Sequence, residues 1–251
     1  MKKYILFIVE GNNDKREIQA IIRAVCGHTF LERYVDAYHV HNGDITTEKD
    51  SSEKTITSKL NKIVISWRNG GEQPFQKISP SDVFKVIHIV DMDGVFIPES
   101  AILSTDDAKA QYYDSAIHFI DREAIVGRNR KKANVIRKLL TVKQIDNIPY
   151  EIYFVSCNMD HLLFNQRNSI AGDKNRNAFA FAGKCKEKSY LQNSVYADGI
   201  RAEGLFSESW EMIQKDFNSL HRHANINIFL DCFLSELIEM ERTFSQADSS
   251  L

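Results

Sequence analysis

Nothing in this sequence reads as a disulfide or zinc framework. Its four cysteines, Cys26, Cys157, Cys185 and Cys232, stand far apart and form no CxxC pair, which fits a reducing cytoplasm better than an oxidising compartment. Long apolar runs are missing as well. Tyr4–Val9 stops at Glu10, too short for a signal-peptide core or a membrane span, and no other run comes closer. A soluble cytoplasmic protein without a membrane role is therefore expected. Charge of one sign is not in excess: 32 Lys and Arg face 34 Asp and Glu, a formal net charge of −2. That excludes a protein that coats nucleic acid by bulk charge, so any such contact needs a local basic patch. Neither GxxxxGK[ST] nor GxGxxG occurs, so hydrolysis of a nucleotide by this chain is not expected. There are four prolines, no repeat and no low-complexity linker, while 43% apolar residues suffice for a proper core.

What is present is an alternation of strands and helices. Tyr4–Val9 reads as a fully buried strand, and Glu10-Gly11 ends it. Asn12 or Asn13 is placed to cap a helix with Asp14 in its first turn and Ile18, Ile21, Ile22 and Val25 along one face. A second strand is expected at Ala37–His41, ended by Asn42-Gly43, and a helix from Thr55 to Trp67. Val83–Val90 is another continuous apolar strand and runs into Asp91-Met92-Asp93-Gly94. A helix from Asp121 carries Ile125, Ala133, Ile136 and Leu140 inward, and Tyr150–Val155 is a further strand. Asn158 is placed to cap a helix beginning Met159-Asp160-His161. The C-terminal quarter offers one helix bearing Trp210, Ile213, Phe217 and Leu220 and another over residues 226–244. The fold class is α/β: a mostly parallel sheet flanked by helices, with residues 1–120 as the catalytic core. Residues 121–251 add a basic helix, one more strand and a C-terminal helical appendage.

Carboxylates gather at two strand ends, Glu10 at one and Asp91-x-Asp93 at the other, where open α/β sheets carry their functional groups. Alternation along a strand turns Asp91 and Asp93 to the same side. Joined by Glu10, they make a hard-oxygen seat for Mg²⁺, with Mn²⁺ able to take its place; such a site suits phosphate chemistry. Asp14 is a helix-start acid that could join the metal set. Asp160 and His161 follow another strand end, and His161 could serve as a general acid. Each also has a structural reading as a helix-start residue. Arg128, Arg130, Lys131 and Lys132 cluster within five residues and would bind phosphates, unless they form only a solvated helix face. Lys184, Lys186 and Lys188 could extend that patch. His221 and His223 have no third ligand at metal spacing.

Ile8-Val9-Glu10-Gly11-Asn12-Asn13-Asp14, followed by an amphipathic helix and later by Ile89-Val90-Asp91-Met92-Asp93-Gly94, resembles the Toprim fold. That fold is shared by topoisomerases, bacterial primases, overcoming-lysogenization-defect nucleases and small ribosomal-RNA-maturing nucleases. The resemblance covers about residues 3–95. It implies a Mg²⁺-dependent endonuclease acting on RNA, such as tRNA, or on DNA, with Glu10, Asp91 and Asp93 as metal ligands and catalytic groups. Tyr153–His161 and Ser209–His223 are similar to stand-alone Toprim effectors of the PARIS type. That similarity implies an anti-phage defence protein, acting by abortive infection, which a partner ATPase restrains; it leaves a homodimer open. At 251 residues the chain has no room for a strand-passing apparatus.

Two rival readings stand beside it. Asp91-x-Asp93-Gly94 also resembles the opening motif of haloacid-dehalogenase phosphatases, with Asp91 as nucleophile, Asp93 as acid/base and Ser156 as the phosphate-binding hydroxyl. Against this, ninety residues precede the motif, and no later strand ends in paired Asp. The other rival is a Toprim-like scaffold that binds an ATPase or nucleic acid without cutting.

Overall fold

The computed structural model describes residues 4–26, 44–70, 77–185, 188–233, 235, 236 and 239. The strand expected at Ala37–His41, its Asn42-Gly43 turn and Lys186 lie outside these residues.

Among the described residues the central sheet has four strands: β1 (Tyr4–Ile8), β2 (Val83–Asp91), β7 (Ile148–Val155) and the short β6 (Gln144–Ile145), in the order β1-β2-β7-β6. The first three are parallel, as their largely apolar composition predicts, and β6 folds back antiparallel on β7. The β6–β7 turn is Asp146-Asn147, both left-handed with φ of 50° and 61°. Two consecutive positive φ values are what a tight hairpin needs, and Asp and Asn tolerate them best after glycine. A second sheet, β3 (Ile102–Ser104), β4 (Gln111–Tyr112) and β5 (Ile117–Phe119), in the order β3-β5-β4, follows the Asp91–Gly94 turn. Strands this short leave little periodic signal, and the sequence reading has none here.

Alternation along the strands separates two cores. Ile5, Phe7, Ile87, Ile89, Tyr153 and Val155 point to one face. Helices α1 (Asn12–Cys26), α4 (Met159–Phe164) and α5 (Ala171–Lys184) cover that face. Leu6, Ile8, Val86, Val90, Ile152 and Phe154 point to the other, under α2 (Ile56–Arg68), α3 (Arg122–Leu140) and α7 (Phe206–Ile213). A short helix, α6 (Lys188–Gln192), precedes α7. Phe154 meets the Trp210 ring edge-on at 5.0 Å, and Phe229 meets Phe7 and Tyr153 on the opposite face. The C-terminal residues thus complete both cores, each fully buried large side chain contributing about 1.5–3 kcal/mol.

Several helix ends follow their side chains. Asp121 caps α3 by accepting from the Ala124 amide at 3.0 Å, and Asn158 caps α4 by accepting from the His161 amide at 3.0 Å. Helix α1 begins at Asn12, so Asn12 and Asn13 lie in its first turn and not ahead of it; the Gly11 carbonyl accepts the Lys15 amide at 3.1 Å. The helix expected through Phe217 and Leu220 stops at Ile213. Asp216 then adopts a φ of 48°, which a right-handed helix cannot contain, and the chain turns Leu220 beneath Gly94. Among the described residues no helix is long and apolar enough to cross a membrane.

Truncating Phe154 to alanine leaves a hole against Trp210 between sheet and helix. Phe154→Ala is expected to cost about 3–5 kcal/mol in urea unfolding, with an unchanged dependence on denaturant.

Candidate metal centre

Strand register brings the acidic ends together. Ile8 is level with His88, so Glu10, two residues on, lies beside the end of β2. There its Oε1 accepts the Asp91 amide at 3.0 Å, lacing the two strand ends.

The chain leaves β2 through a turn held by its neighbours. The amides of Met92, Asp93 and Gly94 donate to the carbonyls of Val155, Cys157 and Ser219 at 2.9, 2.7 and 3.1 Å. Arg128 Nη2 donates to the Asp93 carbonyl at 2.8 Å, and Asn129 Nδ2 to that of Gly94 at 3.0 Å. Asp93 and Gly94 are both left-handed, with φ of 48° and 66°. A Cβ on Gly94 would lie 2.6 Å from Leu220 Cδ2 and 2.9 Å from Ile117 Cδ1, so glycine is required for space as well as for its dihedral. Strand alternation therefore ends at Asp91. Met92 is buried, and Asp93 is aimed by the turn.

Asp93 reaches a cluster that includes a residue the sequence reading overlooks. Glu10, Asp44 and Asp93 each offer an oxygen, and the three lie within 4.8 Å of one another. Lys132 Nζ, from fully buried Lys132 on α3, touches all three: Asp44 Oδ2 at 2.6 Å, Asp93 Oδ2 at 3.1 Å and Glu10 Oε1 at 3.3 Å. Asp44 is shaped locally, its Oδ1 accepting the Thr46 amide at 2.8 Å and the Thr46 hydroxyl. A signal for it exists in the sequence, since Asp44 directly follows the Asn42-Gly43 pair, whose residue types favour a turn.

The charges do not balance, because three carboxylates meet one ammonium. Burial raises Glu10 well above the usual carboxylate range, although Lys132 pulls it back. Burial also opposes ionisation of Asp44, but Lys132 and Thr46 prevail and bring it down to about 2. Lys132 itself is held well above the ordinary lysine value: burial disfavours its charge, and Asp44, Glu10 and Asp93 outweigh that. Three hard oxygen donors at this spacing, with two formal negative charges left over, fit a divalent cation of the magnesium type. Such an ion would share or take over the carboxylates that Lys132 holds.

Asp91 stands outside the three-carboxylate set. Its carboxyl is raised by burial and then by Glu10, Asp14 and Asp93. Asp14, in the first turn of α1, is raised to about 6 by burial, with Lys174 lowering it and Asp160 adding repulsion. Lys174 of α5 lies 3.5 Å from Asp160. Glu17, which no sequence signal singles out, is buried one turn below Asp14; its Oε1 has no hydrogen-bond partner, and burial with Asp14 and Asp160 raises it to about 9.

His161 is buried, with Nδ1 accepting from the Cys157 amide at 3.1 Å and Nε2 lying 3.2 Å from Arg167 Nε. Burial, Arg167 and Arg222 bring its pKa down to about 4, so the ring is neutral at pH 7 and holds no ionic proton to deliver. Ser156 is buried and its hydroxyl donates to the Asn218 carbonyl at 3.0 Å. Neither His221 nor His223 joins a group able to hold a metal among the described residues. All four basic residues of the α3 patch have partners within the chain. Arg128 holds Asp93 and Tyr112, Arg130 pairs with Glu99, Lys131 donates to the carbonyls of Thr47 and Glu48, and Lys132 sits in the cluster.

With this geometry in place, the chain was compared with protein-family models, curated proteins and solved structures, and none of them matches it.

Two outcomes follow from the charge balance. Lys132→Met removes the one ammonium among three carboxylates and is expected to cost about 3–5 kcal/mol in chelator. Added Mg²⁺ or Mn²⁺ should raise its melting temperature more than that of the wild type. Glu17 binds its proton more tightly in the folded state, so its contribution to stability falls as pH rises from its ordinary 4.5 through about 9. Melting curves at pH 6 and pH 9 should therefore show a smaller loss for Glu17→Gln than for the wild type.

Proposed function

We propose that this chain is a Toprim-like, Mg²⁺-dependent nuclease that hydrolyses phosphodiester bonds in nucleic acid. The observation that carries this reading is the convergence of Glu10 and Asp93, from just past the ends of two parallel strands, with Asp44 from a separate segment, leaving an uncompensated negative charge. These residues would hold the ion. When bound, it supplies Lewis acidity toward a phosphate oxygen and a more acidic water.

The protein's own groups provide the rest. Glu10 ties the ends of β1 and β2 into one rigid edge through the Asp91 amide. Asp91, left outside the three-carboxylate set at the end of β2, would act beside the ion as a further carboxyl of the same edge. Lys132 brings a fixed positive charge close to where negative charge builds on a phosphate. Asp14, Asp160 and Lys174 flank this edge and shape its field.

Ser156 has its hydroxyl occupied by a backbone carbonyl, which weakens the phosphatase alternative. The defence role and the restraining ATPase belong to the same proposal; they rest on the PARIS-type likeness, and co-purification with an ATPase tests them.

The catalytic reading predicts that Glu10→Ala, Asp44→Ala and Asp93→Ala each lower Mg²⁺-dependent cleavage of labelled RNA or DNA by roughly 100-fold or more. Full activity in Asp44→Ala would remove the cluster from catalysis. Hydrolysis of p-nitrophenyl phosphate that needs Asp91 and ignores Glu10 would instead establish the phosphatase.

A further inference from the structure

With the four clustered α3 cations engaged inside the chain, another surface is needed for the path of a nucleic-acid strand. Helices α1 and α5 start together at the carboxylate edge. Asp14 and Lys174 occupy their first turns, and Lys174 is raised by Asp160, Asp91 and Asp14 in spite of burial. From there the helices run side by side along a cleft of about 650 Å³, lined by Arg16, Gln19 and Arg23 from α1, by Phe179 and Ala182 from α5 and by Cys185 just past its end.

Three features of this cleft bear on what it can hold. Phe179 is 64% exposed, although phenylalanines elsewhere fill both cores. Its ring is covered on one side by the Arg16 guanidinium, with Cζ 4.5 Å from the centroid. Arg16 and Arg23 are both exposed, and among the described residues neither has a carboxylate partner. Seven residues apart on a helix, the two guanidiniums are separated by about 10 Å along the axis, far enough to meet different phosphates of one strand.

We infer that the α1–α5 cleft binds single-stranded nucleic acid leading away from the metal centre, with a base stacked on Phe179 and the backbone held by Arg16 and Arg23. An aromatic face beside cations suits an unpaired base, because every base offers a π-face and every linkage a negative charge. A duplex keeps its bases stacked on one another and has no free face to give. The surface thus names the form of the substrate: a single strand, loop or frayed end. The inference rests on the nuclease reading for its direction but has its own test.

Binding is measured by fluorescence anisotropy in chelator, so that no cleavage occurs, with a labelled single strand of about 12 nucleotides. RNA and DNA of the same sequence form separate arms and identify the sugar, and a matching duplex is the third arm. Phe179→Ala is expected to weaken single-strand binding about tenfold, Phe179→Trp to restore it, and duplex binding to change little. The double change Arg16→Gln with Arg23→Gln should flatten the logarithmic salt slope by about 0.7 for each phosphate that is no longer neutralised. Unaltered single-strand affinity in Phe179→Ala overturns the proposal. So does an equal loss on the duplex, or a wild type that binds no oligonucleotide while the variants lose only a protein partner. Cleavage that needs Asp44 but ignores these variants sinks the cleft alone, whereas tight, Phe179-dependent binding without any cleavage sinks the nuclease reading alone.

Discussion

The ammonium of Lys132 is the centre on which this architecture turns. Carboxylates from three distant stretches of chain cannot share one small volume without a cation between them, since each raises the cost of ionising the others. Lys132, carried inward by α3, supplies that cation and is itself kept charged only by the acids around it. The arrangement ties the segment at Asp44, the β1 end and the β2 turn to a single helix. It is also poorly suited to stability alone, because a buried cluster with more acids than bases is costlier than an apolar filling of the same space. Retaining such a cluster makes physical sense where another cation is to be bound.

Around this point the fold works mainly by placement. Parallel strands bring Glu10 and Asp91 to one edge without further design, and backbone hydrogen bonds from β7 and the segment near Ser219 then set the Asp93 turn. The turn relies on packing as much as on hydrogen bonds, since Leu220 and Ile117 close over Gly94. A second acidic group, Asp14, Glu17, Asp91 and Asp160 with Lys174, lies on the α1–α5 side, so the edge carries charge on both faces of the sheet.

The basic helix shows how position outweighs composition. Seven cations on α3 suggest a phosphate-binding face, yet the four clustered ones serve the turn, the Glu99 carboxylate, the carbonyls of Thr47 and Glu48 and the acid cluster. Two arginines on α1, unremarkable in a sequence of balanced charge, stand exposed beside Phe179 without an acidic partner among the described residues.

Much of the scaffold was legible from local pattern alone. Largely apolar runs specify β1, β2 and β7, the 3.6-residue spacing specifies α1, α2 and α3, and Asp121 and Asn158 announce their caps, because backbone geometry and burial act over a few residues. Strand ends marked Glu10 and Asp93 in the same way. What folding in three dimensions alone decided was which charges meet: that Asp44 replaces Asp91 in the cluster, that Lys132 points inward to acids and not outward to phosphate, and that Phe217 and Leu220 leave their helix to pack the turn. Those outcomes depend on contacts between distant residues, Lys132 and Glu10 lying 122 positions apart, and electrostatic energy at such contacts is set by distance and burial, which no one-dimensional pattern encodes.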